Sequence, residues 1–149
     1  MQDRIEKHIE LKAPIARVWR AVTDHEQFGE WFKVALEGPF VVGDISRGQV
    51  THPGYEHMKW IATVVAMEPE SRFALSWCPY AWDADVDYSK EPQTLVEFKL
   101  EAIPTGTRLV ISESGFQDLP DDQRRIDALR SNTEGWDAQA ENIANYVEA

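Results

Sequence analysis

Over the last quarter of the chain the apolar or small positions recur in alternating steps of three and four: Ile126, Leu129, Thr133, Trp136, Ala140, Ile143 and Val147. That period places them on one stripe of a helix, with Arg124, Arg125, Asp127, Arg130, Asp137, Glu141 and Asn145 elsewhere on its surface. A helix of roughly 26 residues would run about 39 Å, the diameter of a small domain. It cannot cover its stripe alone. Upstream the period changes. Residues 3–12 alternate around Ile5, His8–Ile9 and Leu11, as a strand does. Pro14 suits a first helical turn, and Ile15, Val18, Trp19 and Val22 follow at helical spacing. Thr23 with Glu26, or Asp24 with Gln27, has capping-box spacing for a second short helix carrying Phe28, Trp31 and Phe32 on one face.

From Gly38-Pro39 onward, turn residues punctuate short β-rich runs at roughly 40–51, 57–67, 72–78, 93–103 and 107–115. Strands joined by such short turns are antiparallel neighbours. Gly115 to Pro120 reads as a loop before the long helix. The order is strand, two short helices, five strands, long helix: an α+β single domain over 1–149, without repeat or linker. A long helix across a curved sheet encloses space, and a binding function is expected there.

Composition narrows the partners. The 149 residues, 43% hydrophobic with six Trp, six Phe and four Tyr, are enough for one full core. A net charge of −11, from 26 acidic and 15 basic residues, repels phosphate backbones and anionic lipid, so neither nucleic acid nor a membrane surface is expected. The same charge also serves solubility. The single cysteine, Cys78, excludes an intrachain disulfide and a zinc ribbon, and is expected to be a small buried residue. The N-terminus lacks a basic-then-apolar leader and no apolar run is long enough to span a bilayer, so a cytoplasmic location is expected. There is no nucleophile elbow, P-loop or dinucleotide fingerprint, which weakens an enzymatic reading, and nothing demands a cofactor.

Several words along the chain carry a resemblance: Ala13-Pro14-Ile15 through Val18-Trp19 and Val22-Thr23-Asp24; Trp31-Phe32; Met67-Glu68-Pro69 before Arg72-Phe73 and Ser76-Trp77; Gly106-Thr107-Arg108-Leu109; Gly115-Phe116; and Gly135-Trp136. Together they resemble the START-like or Bet v 1-like helix-grip fold of the SRPBCC superfamily. Within it the chain is similar to small stand-alone homologues of the activator of the heat-shock-protein-90 ATPase. The resemblance implies a sheet of six to seven antiparallel strands wrapped around the long helix, with a cavity for a hydrophobic or amphipathic, lipid- or polyketide-like molecule. It also admits a cyclase- or hydrolase-type enzyme that uses a cavity Glu, such as Glu113, or a His, and a module that contacts a chaperone ATPase. A chaperone and a second copy of the chain stay open as protein partners.

Placed on that fold, Trp31, Phe32, Trp60, Trp77, Phe98, Phe116 and Trp136, with Leu129 and Thr133 of the helix stripe, are expected around the ligand cavity. The alternative is that the aromatics fill the core. Gly135, in mid-helix, suggests close packing or room beside Trp136. Glu113 shares a strand face with Leu109 and Ile111; facing inward it could act as an acid or a ligand anchor, whereas at a strand end it would reach water. Glu97 reads as the solvent face of its strand. His52 and His57 flank Pro53-Gly54 with Glu56 adjacent, a metal set by residue type only, with exposed hairpin-tip histidines as the ordinary explanation. Asp83, Asp85 and Asp87 alternate like a calcium loop but lack its glycine and final glutamate; with Tyr80 and Trp82 they suggest an acidic lid at a cavity mouth.

Overall fold

A computed structural model describes residues 4–79, 92–119 and 122–148. β1 (Arg4–Leu11) turns inward at Ile5 and Leu11, both buried. Pro14 stands at the N-cap of α1 (Ile15–Thr23), whose Val18, Ala21 and Val22 are buried. Of the two caps expected for the next helix, the chain uses Asp24, whose side chain accepts the Glu26 N–H at 3.2 Å to start α2 (His25–Phe32). α2 ends on Lys33 in the left-handed region, φ 70°. A Cβ on Gly29 would lie 2.4 Å from the Val34 carbonyl oxygen, so only glycine lets the chain fold back so tightly.

That reversal produces β2 (Val34–Leu36), a strand too short for any alternation to announce. It is followed by β3 (Ile45–Val50), β4 (Lys59–Glu68), β5 (Arg72–Trp77), β6 (Thr94–Ile103) and β7 (Gly106–Ser114). Six strands therefore follow the short helices rather than five, and residues 40–44 are not part of one. All pairings are antiparallel, in the order β1-β7-β6-β5-β4-β3-β2. Consecutive strands are neighbours from β2 to β7, and β1 returns beside β7. A bulge between Val64 and Ala66 helps bend the sheet. After a single 3-10 turn at Phe116–Asp118, where a loop was expected, α3 (Asp122–Glu148) packs against β1, α2 and α1. The seven-stranded sheet gripping one long helix is the expected α+β helix-grip architecture. No helix of the described residues is long and apolar enough to cross a membrane.

The helix buries a slightly different stripe from the one its spacing suggests. Trp136, Ile143 and Val147 are buried as expected, but in the first half Ala128 is fully buried while Leu129 and Thr133 are half-buried. Ala128 and Asn132 lead into Trp136 at steps of four, one residue round from the expected line. Other expectations are also corrected. Gly135 is exposed, and a Cβ there would meet nothing within 4 Å, so no close packing calls for it. Cys78 lies just past β5 and is half-buried. Glu97 does face away from the helix, yet it is only 8% exposed, because the Arg72 guanidinium covers it at 2.7 Å. That hydrogen bond is the main reason Arg72 sits above its ordinary pKa.

Candidate functional site

Strand alternation carries Thr107, Leu109, Ile111 and Glu113 of β7 to the buried side. Glu113 lies between Ile5 on β1 and Val96 on β6 in the ladder. It is 0% exposed, so the inward reading holds and the strand-end reading, in which it reaches water, does not. Four side chains converge on it. Oε2 accepts from Trp77 Nε1 at 2.8 Å and from Thr94 Oγ1 at 2.5 Å. Oε1 accepts from Trp136 Nε1 at 2.9 Å, and Asn132 Nδ2 approaches both oxygens at 3.1 and 3.2 Å. An ionised carboxylate accepts only, at about four lone-pair positions, so this donor set matches it. No cationic side chain pairs with Glu113 among the described residues. The network joins β5, β6 and β7 to the first half of α3.

Around this carboxylate the expected aromatic residues come together. Trp77 and Trp136 stack at 5.7 Å between ring centroids and 20° between planes. Phe32 meets Trp60 at 5.2 Å, Trp136 at 6.1 Å and Trp77 at 6.3 Å. Phe98 touches Trp31 and Trp136, and Phe28 closes the cluster against Trp31, Phe32 and Trp60. These rings contact one another at packing distance. Phe116 is fully buried on the 3-10 turn. Two further indoles are satisfied locally, Trp31 by the Ala21 carbonyl at 2.7 Å and Trp60 by Ser46 Oγ at 3.0 Å.

The open space lies beside the cluster. A groove of about 530 Å³ runs between β1 and the first half of α3, with Ile5, Ile126, Leu129 and Thr133 as its floor. Its rim is charged, with Glu6 and Lys7 on the strand and Arg130 and Glu134 on the helix. Lys7 Nζ pairs with Asp137 at 2.8 Å. A smaller hollow of about 280 Å³ sits on β2–β4 and includes Trp60. Of the expected cavity residues, Leu129 and Thr133 line the groove and Trp60 the hollow; the other aromatics line neither opening.

His52, Glu56 and His57 are exposed in the turn between β3 and β4. The Glu56 carboxylate accepts the Gly54 N–H at 2.6 Å, and its hydrogen bonds to backbone N–H groups hold it below the usual carboxylate range. No group of three His, Cys, Asp or Glu able to hold a metal occurs among the described residues. Tyr80, Trp82, Asp83, Asp85 and Asp87, the expected lid, lie outside the described residues. Two site residues escaped the sequence reading. Thr94 carries no pattern that marks it; Asn132 could have been found as a polar residue one turn before Trp136, in line with Ala128.

With the geometry in place, comparison with known proteins is informative. A family model described as Activator of Hsp90 ATPase homolog 1-like protein matches residues 12–148. No curated protein matches the chain. Among solved structures, a protein from Arthrobacter aurescens is similar with a TM-score of 0.78 at 19% identity, covering 97% of this chain and 86% of that one. MLL2253 from Mesorhizobium loti gives 0.74 at 24% identity, covering 96% and 95%. DynU16, a protein in the dynemicin biosynthetic locus, gives 0.75 at 21% identity; the similarity covers 100% of this chain but 48% of DynU16, about half its length. These structural likenesses establish the fold. The family match begins just after β1 and extends over α1, α2, β2–β7 and α3, and the chain belongs to the Activator of Hsp90 ATPase homolog 1-like family.

Proposed function

We propose that this protein binds a hydrophobic or amphipathic small molecule between the sheet and α3. The observation that carries the reading is the groove of about 530 Å³ with its floor of Ile5, Ile126, Leu129 and Thr133. An apolar floor under a charged rim suits a molecule with an apolar body and a polar end, and the volume falls in the range of small-molecule sites. In the ligand-free protein Glu113 ties the strands to α3, with protein donors on both oxygens.

Native mass spectrometry of freshly purified protein, followed by titration with fatty acids, polyketides and flavonoids while Trp fluorescence is recorded, tests this. A co-purified small molecule or a saturable response supports the reading. No adduct and no response across the panel removes it.

A second reading rests on a different surface. Ile45, Ile61 and Val65, 53%, 48% and 42% exposed, lie on the outer face of β3–β4, next to the equally exposed Val41 and Val42. Such a patch suits a protein partner, and the family name suggests a chaperone ATPase. Ile61→Asp should abolish co-purification with that chaperone and any change in its ATPase rate; if neither effect occurs with the unaltered protein, the reading fails.

A further inference from the structure

Among the described residues, the interior of this protein holds a carboxylate with no cationic partner. Glu113 is 0% exposed, and its described partners are two indoles, a hydroxyl and an amide, all neutral. The cations of the groove do not serve it. Lys7 is held by Asp137, and Arg130 stands exposed on the outer rim with no ion pair among the described residues.

The groove and this carboxylate are neighbours. Ile5 floors the groove and faces Glu113 across the β1–β7 ladder. Cross-strand partners on one face lie about 5 Å apart at Cβ. Leu129 and Thr133 floor the groove and flank Asn132, the longest-bonded member of the donor set. Asn132 is therefore the donor a ligand entering from the groove side would displace with least loss. The net charge of −11 favours a positive charge there, because it raises the local concentration of cations around the whole molecule.

Resting on the proposed function, the geometry points to a ligand class: an apolar amine, bound as its ammonium. The ammonium takes the place of the Asn132 amide on Glu113, and the apolar body lies along Ile5, Ile126 and Leu129. The groove is the outer part of the site and the carboxylate is its polar end.

Decylamine, 1-decanol and decanoate share one body and differ in head group. Their affinities for the full chain, measured below micelle-forming concentrations by Trp fluorescence and calorimetry, test the inference. Decylamine should bind about tenfold tighter than decanol, and decanoate weaker than either. Glu113→Gln should abolish the preference for amine over alcohol. Asn132→Ala, which leaves the carboxylate in place and removes its competitor, should tighten decylamine binding several-fold; this variant carries the test should Glu113→Gln not fold. Equal affinity for amine and alcohol, a preference that survives Glu113→Gln, or weaker amine binding by Asn132→Ala overturns the amine while leaving small-molecule binding intact. No binding by any of the three probes overturns the amine, and the small-molecule reading falls with it only if the wider panel also gives no adduct and no response.

Discussion

The two halves of α3 are held to the sheet by different physics. The second half is packed. Ile143 and Val147 are buried, and Arg17 lies over the Tyr146 ring at 5.1 Å while its Nη2 donates to the Tyr146 carbonyl at 3.1 Å. Glu148 Oε2 accepts the Lys12 N–H at 2.9 Å, and burial holds the Tyr146 phenol above its ordinary pKa. The first half is tethered. Beyond Ala128 it is held through Asn132 and Trp136, which both donate to Glu113, with the Trp136 ring stacked on Trp77 and edge-on to Phe98, and its apolar Ile126 and Leu129 border an open groove. Apolar contact is non-directional and forgiving, whereas a buried carboxylate needs every donor in place. One end of the helix is thus fixed by area and the other by a few directed bonds around one buried indole, which lets the helix border an opening without losing its position.

The sharpest way to break this contrast is to remove the tether. Glu113→Ala leaves two indoles, a hydroxyl and an amide facing an apolar interior and should cost about 3–5 kcal/mol in urea unfolding. A loss under about 1 kcal/mol would mean that the hub carries little of the fold. In the packed half, Ile143→Ala deletes a fully buried side chain and should cost about 3 kcal/mol, without altering ligand affinity at the groove. A matching drop in affinity would show that the halves do not act separately. The smallest effect is a gain. Gly135 is exposed with open space where a Cβ would stand, so Gly135→Ala should add about 0.5–1 kcal/mol of stability. Loss of stability there would show that the helix needs its flexibility beside Trp136.

Much of the fold is legible in the sequence because it rests on periodicity and punctuation. The alternation around Ile5, the turn pairs from Gly38-Pro39 onward and the three-four spacing from Ile126 all predict elements that are present. β2 is missed because three residues cannot show a period, and its position follows from the Lys33 reversal. The site is less legible. Stripes through Leu129–Thr133 and through Ala128–Asn132 both lead to Trp136, and helical spacing cannot separate lines one residue apart. The choice is made by a buried acceptor on a distant strand, Glu113, which draws the polar Asn132 inward. Strand alternation placed Glu113 with Leu109 and Ile111, but only tertiary contacts show which of its two readings applies.

Amide hydrogen exchange along α3, with and without a bound ligand from the fluorescence panel, tests the contrast between the halves most directly. Residues 126–136 should exchange faster than 139–147 in the free protein, and ligand should protect the first group while leaving the second unchanged. Uniform protection along the free helix, or ligand protection confined to 139–147, would contradict a tethered first half that borders the binding groove.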